Sequence, residues 1–261
     1  MRSSRLRFQT ALLGGLAVLA GASQANAAVV TADADTFVVA TQVGSPIPTG
    51  TTTAGFISLR DNATVANRRM GAIRFLPDPL DVGVSDGSSL SLTFQTTNPL
   101  EAGDAVDIFL YGALDGSSED DLVEANYTPQ AINGGGNNID ENFIFNGGDP
   151  SLRLLDTVSF TTTPAIDSTI TFAGSLLDDF VTSVTNSATD SDLAFVLTLR
   201  STDSNGDINN YEAKFDSQNL AGGSAPLLNV NVVSAIPEPS AAALVGIGLV
   251  GVSVRRRRRR I

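Results

Sequence analysis

Strict alternation is the feature that most constrains this chain. Within residues 89–96, Leu90, Leu92 and Phe94 fall on one side of a two-residue period, and Ser91, Thr93 and Gln95 fall on the other. Within residues 193–200, Leu193, Phe195, Leu197 and Leu199 alternate with Ala194, Val196, Thr198 and Arg200. Within residues 228–232, Leu228, Val230 and Val232 alternate with Asn229 and Asn231. Successive side chains of a strand point to opposite faces, so this period predicts half-buried antiparallel strands. Further strands are predicted over residues 36–40, 56–59, 70–76, 105–111, 152–160, 169–173 and 211–217, separated by stretches rich in Gly, Asn, Asp and Ser. The expected fold is all-β, an antiparallel β-sandwich of jelly-roll type. One segment breaks the period. Leu176, Leu177, Phe180, Val181 and Val184 follow helical spacing, with Ser175 as the cap and Asp178 as its capping-box partner. That predicts one short helix.

Composition narrows the chemistry. The 261 residues include no Cys, no His and no Trp. Disulfides, thiolate nucleophiles and zinc sites built on His or Cys are therefore closed, as are the Ser-His-Asp and Cys-His schemes. Charge is unevenly placed. Of 16 basic residues, three lie before residue 8 and six lie in the tail; of 28 acidic residues, only Glu238 lies in the tail. Residues 28–235 thus hold seven basic against 27 acidic side chains and net about −20. A body so acidic repels nucleic acid and anionic lipid, which need neutralising cations.

Both ends read as addresses. Arg2, Arg5 and Arg7 precede an apolar stretch over residues 12–22, and Ala25-Asn26-Ala27 offers small residues at the spacing signal peptidase reads. Cleavage is expected between Ala27 and Ala28, which makes residues 1–27 a signal peptide with a helical apolar core. At the other end stand Pro237, Glu238 and Pro239, then residues 240–254 built only from Ala, Leu, Val, Ile, Gly and Ser, then Arg255 to Arg260. The prolines keep their segment extended and accessible. A fifteen-residue helix spans about 22 Å, short of the roughly 30 Å hydrocarbon core, and the arginines make up part of the deficit by snorkelling. The same positive cluster stays on the cytoplasmic side, so the body lies outside.

This Pro-Glu-Pro, apolar helix and arginine cluster over residues 236–261 resembles the PEP-CTERM sorting signal. The resemblance implies processing by an exosortase near Pro237-Glu238-Pro239, from a membrane-anchored precursor to the cell surface or beyond. Between the two addresses, residues 28–235 are expected to form one domain. Its order of elements is similar to the DNRLRE-type sandwich, also classed as carbohydrate-binding module family 96. The matching pieces are Asp35-Thr36-Phe37-Val38, then Arg69 leading to Arg74-Phe75, then Leu90, Leu92 and Phe94, then Val106 to Tyr111. Glu124 and Thr128, the helix before Leu193, Phe215-Asp216-Ser217 and Pro226-Leu227 complete the order. That resemblance implies a sandwich and contact with an exopolysaccharide. With no Trp in the chain, the aromatic platform that sugar rings need falls to Tyr111, Tyr127 and Tyr211 and to the phenylalanines.

Two further sites are candidates by residue type. Asp203, Asn205 and Asp207 place side-chain oxygens at alternate positions, with Gly206 to permit a tight turn. Hard cations want such oxygens, so this loop is the candidate structural calcium site, the only cofactor expected. The same residues also suit an ordinary polar hairpin turn. A second acidic loop, Asp115 to Asp121, carries Glu119, Asp120 and Asp121 in a row. The triple glycine at Gly134, Gly135 and Gly136 reads as a surface loop, since neither the lysine nor the helix of a phosphate loop follows. Paired carboxylates can cleave a glycosidic bond, and Glu101, Glu124 and Glu212 are the residues available for it. No spacing pairs them. The expected function is a non-catalytic surface or matrix module, with a carbohydrate-binding module as the alternative and a glycan-active enzyme behind it.

Overall fold

A computed structural model describes residues 25–39, 55–64, 67–76, 83–84, 87–113, 152–185 and 192–233. Residues Ala25–Val233 make one compact unit. The apolar N-terminal stretch, the Pro237-Glu238-Pro239 tail, the loop from Asp115 to Asp121, the glycine-rich loop, Glu124, Tyr127 and Thr128 lie outside the described residues.

The described residues form twelve strands and one helix. In chain order they are β1 (Ala25–Thr31), β2 (Ala34–Val39), β3 (Phe56–Arg60), β4 (Arg69–Phe75), β5 (Gly83–Val84), β6 (Ser89–Thr97), β7 (Ala105–Ala113), β8 (Leu152–Phe160), β9 (Thr169–Ala173), α1 (Ser175–Thr185), β10 (Leu193–Thr202), β11 (Glu212–Asp216) and β12 (Leu227–Val233). Every pairing is antiparallel. The strands are joined in one path, β1-β12-β6-β11-β3-β4-β10-β7-β8, with β2 on β4, β5 on β12 and β9 on β6. The all-β expectation holds, and the strands connect as one curled antiparallel sheet.

The long strand β6 belongs to two ladders. Its first half pairs with β12 and β9, and its second half pairs with β11. The register shifts between Lys214, opposite Thr96, and Phe215, opposite Phe94, so that Gln95 of β6 is the extra residue. A bulge of this kind bends a strand and raises its twist, which lets one strand turn from one ladder into the next. The inward residues of both ladders share one core. Leu90, Leu92, Phe94, Phe172, Leu228 and Val230 meet Ile57, Ile73, Phe75, Ile108, Leu110, Phe195, Leu197 and Phe215 there. Phe94 lies between Phe215 at 4.6 Å and Phe160 at 6.0 Å, and Phe195 lies between Phe75 at 5.8 Å and Phe180 at 5.4 Å.

Two local expectations are corrected. The strand β10 is buried on both faces, for Ala194, Val196 and Thr198 are as enclosed as Leu193, Phe195 and Leu197. It lies between β4 and β7 and is no half-buried strand. Helix α1 forms, and Leu177, Phe180, Val181 and Val184 are its buried side, but Leu176 faces solvent. Asp178 makes no capping box. Its Oδ1 accepts the N–H groups of Gly87 at 3.0 Å and Ser88 at 2.7 Å, and so pins the helix to the start of β6. Phe180 docks over Gly112 of β7, where a Cβ would stand 2.6 Å from the ring. Only a glycine at that place admits the ring.

Candidate functional site

The Asp203 loop joins β10 to β11 and closes on itself. The Asp203 N–H donates to the Asp207 carbonyl at 2.8 Å, and the Gly206 N–H donates to the Asp203 carbonyl at 2.9 Å. Asp203 Oδ1 accepts two more backbone N–H groups, from Asn205 at 2.8 Å and Asp207 at 3.0 Å. Gly206 sits at φ 85°, the left-handed region that favours glycine. The N–H of Asn205 is the first cause that holds the Asp203 carboxyl below its ordinary range. Charge is favoured there because the ionised form accepts these hydrogen bonds. The turn thus brings Asp203 and Asn205 together through side chains, whereas Asp207 meets Asp203 through its backbone. Among the described residues, no three Asp or Glu side chains converge as a metal cluster.

Tyr111 and Tyr211 form no platform. Both are core residues, 6% and 1% exposed, and neither offers a ring face to a sugar. Burial pushes each phenol up to about 12, opposed by the hydroxyl of Thr198 at Tyr111 and of Thr97 at Tyr211. The platform expectation is therefore corrected for these two. A tyrosine carries a large apolar ring, and a strand position facing the core buries it. Glu212 is also engaged. It takes an ion pair from Arg69 Nη1 at 2.8 Å and a hydrogen bond from Ser58 Oγ at 2.9 Å, with Lys214 at 3.7 Å. Around it Arg69 lies over Phe37, Phe37 stacks on Phe56, and Lys214 lies over Phe56. This layer of cations and rings knits β2, β3, β4 and β11.

Three buried aspartates stand out that residue patterns alone did not single out as sites. Asp61 pairs with Arg68 at 3.3 Å, accepts the N–H of its neighbour Asn62 at 2.9 Å, and accepts the N–H of Ser201 at 2.9 Å. Arg68 Nε also donates to the Asn62 carbonyl, and Ser201 Oγ donates to the Asn209 carbonyl. Asp104 Oδ2 accepts Asn209 Nδ2 at 2.7 Å and the Glu101 N–H at 2.9 Å. Asp35 accepts Ser217 Oγ at 2.5 Å and the Gln218 N–H at 2.7 Å. Each carboxylate ties chain segments that are far apart in sequence. The local signal for Asp61 was the Asp-Asn pair followed by Arg68, but its distant partner could not be read from spacing.

These features define a class. Residues 25–233 form an all-β unit in which Asp35, Asp61, Asp104 and Glu212 hold distant segments together, and its last strand, β12, precedes a charged, apolar tail in the sequence. That tail decides the more particular reading. Residues 235–259 match the PEP-CTERM protein-sorting motif. The chain therefore carries an exosortase sorting signal and is an exported protein, made as a membrane-anchored precursor and processed to the cell surface. No curated protein matches the chain. Among the described residues no helix is long and apolar enough to cross a membrane, and the apolar run of residues 240–254 lies outside them.

Proposed function

We propose that the processed body is a non-catalytic structural or adhesive module of the cell surface or extracellular matrix, with a sandwich arrangement of its curled sheet. The observation that carries this reading is the engagement of Asp35, Asp61, Asp104 and Glu212 in fold-holding contacts. Side chains so held are poor acids, bases or ligands for a substrate. The DNRLRE-type resemblance gains support from the same contacts. Its opening acidic residue, Asp35, and its closing Phe-x-Ser signature meet through Asp35 and Ser217.

Two measurements test this. Glu238→Ala, with the arginines kept, should leave the full-length chain in the membrane, since the protease must read the extended Pro-Glu-Pro segment. Equal release of variant and wild type would remove the sorting step. The released body should bind no glycan saturably and release no sugar from one. A saturable hit on a glycan array turns the reading to a carbohydrate-binding module, and reducing ends released from the glycan turn it to an enzyme.

A further inference from the structure

The chain enters the sheet and leaves it on paired strands. Among the described residues strand β1 pairs only with β12, and Ala25, Asn26 and Ala27 lie opposite Val233, Val232 and Asn231. The expected signal-peptidase bond, Ala27–Ala28, is thus inside this ladder. Residues Ala28 to Thr31 lie opposite Val230 to Leu227, where Leu228 and Val230 are fully buried and Ala28 and Val30 pack on the core. On its other edge β12 has β6 at Leu227 to Asn229 and, among the described residues, only the two-residue β5 at Val232 and Val233. The sorting motif begins at residue 235, two residues past Val233.

We propose that the sheet orders the two processing steps: removal of residues 1–27 uncovers the last three residues of β12, and this frees the lead-in that the exosortase must reach. The proposal rests on the signal-peptide and sorting readings above. Hydrolysis of the Ala27–Ala28 amide consumes one water and leaves a carboxylate on Ala27 and an amine on Ala28. The retained half of β1 stays, because its Ala28 and Val30 side chains pack on the core. The lost half takes with it the β1 partners of Asn231, Val232 and Val233, and leaves Val232 and Val233 with the short β5. Peptide held in a ladder must open before a protease can bind it, and cleavage follows the open population. With β12 intact, about four residues join Val233 to Pro237, roughly 14 Å when extended. With β12 frayed back to Val230, about seven residues join the body to Pro237, roughly 24 Å. A folded body on the longer tether obstructs the membrane protease less. The same ladder places the N-terminal cut early. Once β12 has closed on β1, the Ala27–Ala28 bond is held in the sheet.

The test uses the full chain in an exporting host that makes an exosortase. Ala25→Leu with Ala27→Leu removes the small residues that signal peptidase reads and keeps the ladder. C-terminal processing, followed by pulse-labelling, should slow at least threefold. A second chain carries Ala25→Leu with Asn26→Pro and Ala27→Pro. It also keeps the signal, but successive strand N–H groups point to opposite edges, so one of two adjacent prolines must remove a ladder donor. Its C-terminal processing should return to the wild-type rate. Wild-type speed in the leucine variant overturns the proposal. So does slow processing that the prolines leave unchanged, since that is the effect of N-terminal anchoring alone. N-terminal sequencing of the wild-type surface product separates the two kinds of failure. A product that does not begin at Ala28 overturns the signal reading and the proposal together, whereas Ala28 with equal rates overturns the coupling only.

Discussion

Asp203 and Asp61 use the same chemistry to opposite ends. Each carboxylate accepts backbone N–H groups, and each does so beside a turn-forming asparagine. Asp203 accepts them from residues two and four places on, in an exposed loop. Asp61 accepts one from its neighbour and one from Ser201, 140 residues away, and holds the Arg68 guanidinium in a buried pair. The first arrangement shapes a turn that the local chain already favours. The second joins the loop after β3 to the end of β10, and nothing local favours it. Water screens the first and is excluded from the second, so the same hydrogen bonds carry different weight.

Asp61→Ala should break that contrast most visibly. It leaves Arg68 buried without its carboxylate, and losing one member of a buried pair costs about 3–5 kcal/mol. Denaturant unfolding measures this. A loss below about 1 kcal/mol would mean that water reaches Arg68 as freely as an exposed side chain.

Gly112→Ala should come next. Its added Cβ would stand 2.6 Å from the Phe180 ring, so either α1 shifts or the ring turns. Overpacking of this kind costs about 1–3 kcal/mol. The double change Gly112→Ala with Phe180→Leu should recover part of that loss if the clash is the cause. Additive losses would place the strain elsewhere.

The smallest effect belongs to Asp203. Its carboxyl is held below the ordinary value of 3.8, so its stabilising contribution is present above about pH 4 and is lost as pH falls through the lowered folded-state value. At neutral pH, Asp203→Ala should therefore melt slightly below wild type, and the difference should close in acid. A gap that stays constant down to about pH 2 would show that the charge contributes nothing. Calcium sharpens the same comparison. An ion bound by Asp203, Asn205 and Asp207 would raise Tm more than magnesium does, and the double variant Asp203→Asn, Asp207→Asn would lose that excess. An equal rise in both proteins leaves the turn held by its own amides.

What the sequence determined by itself is the set of elements whose cause is local. The strands Leu152–Phe160 and Thr169–Ala173, bounded by turn-rich stretches, were legible to the residue, and the helical spacing of Leu177, Phe180, Val181 and Val184 marked the buried side of α1. The tail motif was also legible, because a protease reads it as a linear segment. Tertiary structure alone decided the rest. Alternation reports which side chains share a face, but not whether the opposite face is covered too, so Ala194, Val196 and Thr198 on β10 read as exposed and are enclosed. It likewise left Tyr111 and Tyr211 free to be surface residues until neighbouring strands closed over them. Strand β1 lay hidden within a cleavage site because its reason to be a strand is β12, two hundred residues later in the chain. Pairings such as Asp61 with Ser201 or Asp35 with Ser217 have no period at all. They arise only when the sheet brings distant backbone donors to a carboxylate that burial has deprived of water.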